Sequence, residues 1–255
     1  MSELILHHYP LSPFSEKIRA MLGYTGLPWC SVITSEMPPR PLLAPLAGGY
    51  RKIPVAQIGA DVFCDTRTIT QQIAELSGNP RLTLDGVSEE ERAFVREADL
   101  TLFLACILSS TSLKLNLKLF RHFSLRSLLR FFRDRIQIGR TSSVPRMGLR
   151  EARHRVCQHL SEMESRLKGN PWLFGDAPSI ADFSAYHGLW FLTDVAESAL
   201  VKDYPAVEEW MQRIRSFGHG HSIGMTGEAA LDMARQAAPK TVDSGSDVLL
   251  GKEVV

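Results

Sequence analysis

Cysteine is scarce in this chain, and its four residues (Cys30, Cys64, Cys106 and Cys157) are scattered. They form no C-x-x-C pair and no His/Cys cluster at zinc spacing, so no metal site is expected. Free thiols in a reducing cytoplasm are the expected state. Long apolar runs are missing as well. The most apolar stretch, Leu100–Leu108, is about nine residues, against the roughly 20 that cross a bilayer. The opening MSELILHH has no basic region leading into an apolar run, so neither a secretory leader nor a membrane span is expected, and the chain is placed in the cytoplasm. No charge sign dominates: 29 Lys and Arg against 28 Asp and Glu leave a formal +1, which gives no global pull toward nucleic acid or membrane. No internal repeat is visible. What remains is an ordinary globular composition, 44% apolar and 22% charged over 255 residues, long enough for one large domain or two small ones.

The first third alternates in type. Leu4-Ile5-Leu6 suits a buried strand ended by Pro10. Phe14, Ile18, Met21 and Leu22 then fall on one helical face, with Gly23 and Gly26 closing the segment. Cys30–Thr34 is β-branched and suits a second strand. Pro38, Pro39, Pro41 and Pro45, followed by Gly48-Gly49, demand loop or extended chain. Pro54–Ile58 and Val62–Cys64 flank a Gly59-Ala60-Asp61 turn, a hairpin pattern, and a helix runs from Thr66 to about Leu76. The order β-α-β, loop, β-β-α, with a right-handed crossover joining the parallel pair, predicts a thioredoxin-like α/β domain over 1–78. A linker over 79–87 follows. Ser88 with Glu91 three residues on is a capping-box start, and helical patterning continues to about Phe217, broken at 139–145, 169–178 and Pro205. An all-α bundle domain is expected over 88–226, with a partly flexible extension over 227–255 that carries one helical stretch.

Three short motifs can carry chemistry. In Ser12-Pro13-Phe14-Ser15, Pro13 suits the first helical position and Ser12 is a natural N-cap. An anionic sulfur placed there gains from the positive helix end and from a hydroxyl hydrogen bond. Lowering a thiol pKa by two units takes about 2.7 kcal/mol, within reach of one charged hydrogen bond plus the dipole. Capping alone is the simpler alternative. In Arg51-Lys52-Ile53-Pro54-Val55, a proline opening a strand after a β-branched residue is a candidate cis bond that would turn the Ile53 amide outward; a trans proline is the ordinary alternative. Asp65-Thr66 stands before a helix, where short oxygen-bearing side chains cap the chain or hold a ligand's charged end.

Taken in order, these motifs resemble the amino-terminal domain of glutathione transferases, in particular their serine-type and omega-like branches. Ser12-Pro13-Phe14-Ser15 matches the family's S/C-P-F-x motif, with Arg19 seven residues after Ser12. Lys52-Ile53-Pro54-Val55 is similar to its cis-proline segment, and Asp65-Thr66-Arg67-Thr68-Ile69 to its E-S-x-x-I motif, with Glu and Ser replaced by Asp and Thr. Ser179-Ile180-Ala181-Asp182-Phe183, preceded by Trp172–Asp176, is similar to the capping box of the family's core helix. The resemblance covers residues 4–217. It implies glutathione as co-substrate, a small hydrophobic electrophile as second substrate, and a homodimer. By position, Ser12 is the thiol-activating residue, with Tyr9 the lesser candidate. Ile53, held by Pro54, pairs with the cysteinyl backbone; Asp65 and Thr66 hold the γ-glutamyl end; Lys52 meets the glycyl carboxylate. With no cysteine at position 12 or 15, omega-type thiol–disulfide exchange has no nucleophile here.

One feature stands apart. Between Lys114 and Arg155 lie twelve Lys and Arg against Asp134 and Glu151, a formal excess of +10. A solvated helix face offset by the acidic 89–99 segment is one reading; an electropositive rim for an anionic partner or surface is the other. Nucleic acid fits poorly, because no recognition motif accompanies the charge. The second functional hypothesis follows: a transferase-like scaffold or interaction protein that docks partners through this basic helical surface.

Overall fold

The computed structural model describes residues 4–110 and 147–241. The helix break expected at 139–145, residues 114–146 of the basic stretch and the end of the tail lie outside the described residues. β1 (Leu4–His8), α1 (Pro13–Thr25) and β2 (Trp29–Ile33) make the β-α-β unit. β3 (Val55–Ile58) and β4 (Asp61–Cys64) make the hairpin, and α2 (Thr66–Ser77) follows. β1 lies parallel to β2 and antiparallel to β3, and β3 is antiparallel to β4, the thioredoxin-like arrangement. α1 extends through Gly23 to Thr25 and is closed by Gly26 alone, in the left-handed conformation at φ 66°. Gly23 serves a different purpose from the stop expected of it: a Cβ there would lie 2.2 Å from the carbonyl oxygen of Gly218.

The sheet has one more strand than the sequence suggested. β5 (Ser222–Gly224) pairs in parallel with β2, giving the order β4-β3-β1-β2-β5. Alternation along the strands then produces two apolar faces. Leu4, Leu6, Ala56 and Ile58 join Ile18, Met21 and Leu22 of α1 and Ile69 and Ile73 of α2 in the main core. On the opposite face Ile5, Cys30 and Val32 pack against Ala230 of a carboxy-terminal helix (Gly227–Gln236), with Met225 and Met233 at its margins. Gln57, buried on this second face beside Ile5, donates to the carbonyl of Ala230 at 2.8 Å and meets His7 Nε2 at 3.1 Å. The chain that leaves the helical bundle thus returns to cover the sheet. An Ala230→Asp substitution sets a carboxylate against Ile5 and Val32. It is expected to undock this segment, seen as at least tenfold faster amide exchange confined to residues 219–240.

Among the described residues the bundle holds α3 (Glu89–Glu97), which passes through a π-helical turn at Ala98–Leu102 into α4 (Phe103–Ser109), and α5 (Leu149–Leu167), α6 (Ile180–Trp190) and α7 (Pro205–Ser216); the carboxy-terminal helix is α8. α3 begins in the expected capping box: Ser88 Oγ accepts from the Glu91 N–H at 3.2 Å, and the Glu91 carboxylate accepts from the Ser88 N–H at 3.1 Å. Residues 80–82 form a single 3₁₀ turn with Leu82 fully buried and Arg81 paired to Glu91 at 3.0 Å. The two parts meet through α1 and α6. Buried Lys17 places Nζ 2.9 and 3.0 Å from the Asp99 carboxylate oxygens and 2.8 Å from Ser184 Oγ. No helix among the described residues is long and apolar enough to cross a membrane.

Whether residues 114–146 offset the acidic 89–99 segment lies outside the described residues. Among the described residues Glu89 pairs with Arg92 and Arg96, Glu90 with Arg166, Glu91 with Arg81 and Asp99 with Lys17. None of these cations belongs to the basic stretch. Its described part, at the start of α5, keeps Arg150, Arg153 and Arg155 exposed, with Arg155 held by Glu151 at 3.0 Å.

Candidate functional site

Sheet register decides which loops share one end of the molecule. His7 pairs with Val55, and Val55 with Cys64, so the exit of β1, the entrance of β3 and the exit of β4 lie side by side. β1 leads to Ser12, β3 is entered through Ile53–Pro54, and β4 runs straight into Asp65–Thr66. Ser12, Ile53, Pro54, Asp65 and Thr66 therefore gather at one end of the sheet, beside the amino termini of α1 and α2. Lys52, exposed, precedes Ile53.

Ser12 is the N-cap of α1, with extended backbone at φ −79°, and Pro13 follows at the first helical position. Its Oγ accepts from the Ser15 N–H at 3.2 Å, and among the described residues its own proton goes to no acceptor. The residue is 2% exposed. Tyr9 contributes main chain to the turn before it: its carbonyl accepts from the Ser12 N–H at 3.2 Å and from Arg19 at 3.2 Å.

Arg19 organises this turn from below. Its guanidinium donates to the carbonyls of Tyr9 and Pro10, to Glu16 at 2.7 Å and to His8 Nδ1 at 3.0 Å. Because Arg19 can only donate, His8 Nδ1 is unprotonated and its Nε2–H is given to Ser31 Oγ, 2.9 Å away. Burial and then the charge of Arg19 push the His8 pKa down to about 4, so the ring is neutral at pH 7. Burial pushes the Glu16 carboxyl up, but His219 and Arg19 outweigh it and hold the group below the ordinary carboxylate range. His219 comes from the segment after α7 and lies 3.1 Å from Glu16 Oε2. Sequence reasoning missed this network. The i, i+3 spacing of Glu16 and Arg19 was a usable signal; nothing local pointed to His219.

The Ile53–Pro54 peptide bond is cis. Ile53 is half-buried, and among the described residues its main chain takes part in no backbone hydrogen bond. Asp65 caps α2, accepting from the Arg67 N–H at 3.0 Å, and sits at φ 83°. For a residue with a Cβ that conformation costs about 1–3 kcal/mol and persists only when its surroundings impose it. Here the Asp65 carbonyl is held by Thr68 Oγ1 at 2.9 Å while the side chain caps the helix. Thr66, half-buried, opens α2.

Phe14, two residues beyond Ser12, turns toward the bundle. Its ring lies 4.6 Å from Phe103 and 4.8 Å from His187. His187 is fully buried, its ring nitrogens have no hydrogen-bond partner among the described residues, Nδ1 lies 4.0 Å from the Asp99 carboxylate, and burial pushes its pKa down to about 4. An apolar, aromatic surface thus borders the capped helix end on the bundle side.

Comparison with known proteins bears on this geometry. The glutathione S-transferase N-terminal domain family matches residues 6–81 and the C-terminal domain family residues 148–213. The solved structure of a GST-like protein from Pseudomonas syringae is 35% identical, covers 97% of this chain and 78% of its own, and superposes with a TM-score of 0.72. FtsZ-localized protein A of Caulobacter vibrioides is 29% identical over 217 residues, 84% of this chain and 87% of its own. A glutathione transferase family member from Pseudomonas fluorescens, solved with two glutathione bound, shares the fold at 16% identity, with 90% and 92% of the chains covered and a TM-score of 0.59.

Proposed function

Because this chain belongs to the glutathione S-transferase family, we propose that it binds glutathione at the common end of β1, β3 and β4 and activates its thiol for attack on a small hydrophobic electrophile. One observation carries the reading: a capping serine that donates to no acceptor among the described residues, an Ile53 main chain with no backbone hydrogen bond there, and a strained helix-capping aspartate meet at one sheet end. In this reading Ser12 donates to the sulfur and, with the amino terminus of α1, stabilises the thiolate. Ile53 pairs with the cysteinyl backbone, Asp65 takes the γ-glutamyl ammonium, Thr66 at the helix start takes its carboxylate, and Lys52 meets the glycyl end. The thiolate then forms a carbon–sulfur bond with an electrophile lodged near Phe14 and Phe103, whose leaving group departs with the electron pair. Assignment to the serine-type branch, a homodimer, a cytoplasmic location and a division into 1–78 and 88–226 belong to the same proposal.

Replacing Ser12 by Ala is expected to raise the pKa of the bound thiol by about two units, cutting the thiolate near pH 7, and with it turnover, about 100-fold. Glutathione affinity measured by calorimetry should stay within about twofold, because the peptide is gripped elsewhere. Ultraviolet titration of the bound thiol checks the shift. Wild-type protein that gives no heat with glutathione removes the enzyme reading.

The name of the Caulobacter relative supports a second reading, a transferase-like scaffold that uses the basic surface containing Arg150, Arg153 and Arg155. On that reading Ser12→Ala changes nothing and charge reversal at those arginines abolishes partner capture.

A further inference from the structure

Residues 34–54 contain no helix or strand, yet their main-chain polar groups still need partners. Part of the segment satisfies itself in successive turns: the N–H groups of Leu43 and Ala44 bond to the Arg40 carbonyl, those of Leu46 and Ala47 to Leu43, and that of Tyr50 to Ala47. Buried Leu43 and Ala47 pack on Val55 and give the loop an apolar floor. One side chain bridges the ends of the loop. Arg40 Nε donates to the Ser35 carbonyl at 2.8 Å, one terminal nitrogen to Glu36 at 2.9 Å and the other to Arg51 at 2.7 Å. Its main chain thus starts the run of turns while its side chain reaches round to the last residue before Lys52.

The bond to the Arg51 carbonyl matters most. A peptide unit is planar, so holding that oxygen restrains the plane joining Arg51 to Lys52, just ahead of Ile53 and Pro54. A guanidinium is a rigid planar fork with five donors and can hold three carbonyls in fixed relation; a lysine ammonium is a point charge on a flexible stem. We propose that Arg40 is a positioning residue for glutathione binding, fixing the direction in which Lys52 and Ile53 are presented by bracketing the carbonyls of Ser35, Glu36 and Arg51. This rests on the glutathione reading above. Arg40 acts through the loop, while Leu43 and Ala47 keep the loop seated without it.

The test compares wild type, Arg40→Ala and Arg40→Lys by glutathione calorimetry, by kcat and KM with an aryl halide acceptor, and by trypsin cleavage after Arg51 and Lys52 followed by mass spectrometry. In both variants the KM and Kd for glutathione should rise about tenfold with kcat at saturation unchanged within about twofold. Cleavage after Arg51 and Lys52 should accelerate at least fivefold while the melting temperature holds. Recovery of affinity by Arg40→Lys overturns the bracket, since a bare charge would then suffice. Unchanged cleavage in Arg40→Ala also overturns it, whether or not glutathione binds. Failure of wild type to bind glutathione strikes the functional reading instead, and accelerated cleavage would still mark Arg40 as the loop's clamp.

Discussion

Asp182→Ala is expected to lower the melting temperature by about 10–20 °C, the largest loss anticipated for a single side chain in the bundle. The Asp182 carboxylate is fully buried and accepts from the Ser179 N–H at 2.9 Å, the Leu173 N–H at 3.0 Å and the Trp210 indole N–H at 2.8 Å. Alanine leaves three buried donors without a partner. Each costs about 1–3 kcal/mol, and a sum of about 4–6 kcal/mol converts at about 2–4 °C per kcal/mol for a chain of this size. Asp182→Asn separates the contributions. Its remaining oxygen can serve Leu173 and Trp210, while its amide group faces the Ser179 N–H, donor against donor, so about half the loss is expected. Thermal circular dichroism reads the total, and tryptophan emission reports whether Trp210 loosens first. An alanine variant melting within about 2 °C of wild type would mean that water replaces the carboxylate.

The same residue marks where sequence reading stops. Ser179 and Asp182 were legible as a capping box because the bond between them spans three residues of one turn. The donors from Leu173 and Trp210 were not, because their approach depends on how α6 and α7 pack. The pattern recurs across the molecule. Ser12, Asp65 and the Ser88/Glu91 box are local devices that residue type and spacing disclose, and the thioredoxin-like order follows from alternating β and helical periods. β5 escaped notice because three residues ending in a glycine carry no periodicity. The ion pairs of the acidic 89–99 segment, such as Glu91 with Arg81 and Asp99 with Lys17, were not legible either, because ion pairing is settled by folded distance. Arg40, too, sits in a stretch whose prolines and glycines announce a loop but say nothing of which side chain closes it. For the proposed site, the cis bond at Pro54 and the gathering of three loops at one sheet end agree with the motif order. The second-substrate surface around Phe14, Phe103 and His187 joins residues from distant parts of the chain and could not be assembled from spacing.

Acid is expected to unfold this protein at the upper edge of the pH range in which ordinary carboxylates titrate. His8, His159 and His187 are buried, and burial pushes each pKa from 6.5 down to about 4. Between those values the unfolded chain binds protons that the folded chain refuses. These groups therefore contribute full stability above about pH 6.5 and lose it progressively toward pH 4. Each contributes up to about 1.4 kcal/mol per pH unit, so the three together reach about 4 kcal/mol per unit. Against a typical total of about 5–15 kcal/mol, that slope places the transition between about pH 5 and 4. Glu16 and Asp99 act in the same direction in a lower window. Burial raises both carboxyls, but His219 and Arg19 outweigh it at Glu16, and Lys17 with His187 at Asp99, so both folded pKa values lie below 4.5 and 3.8 and their stability is lost as pH falls through them. His187→Phe isolates one contribution. The ring stacks 5.2 Å from Phe103, and neither nitrogen has a hydrogen-bond partner among the described residues, so phenylalanine keeps the packing and removes the proton site together with its 4.0 Å approach to Asp99. Urea unfolding measured from pH 8 to 5 should show proton uptake on unfolding reduced by about one in this variant, with stability at pH 8 unchanged or higher. A wild-type profile flat from pH 6.5 to 4.5 would mean that these rings are reached by water in the folded protein, and the buried interface between α1 and the bundle would have to be redrawn.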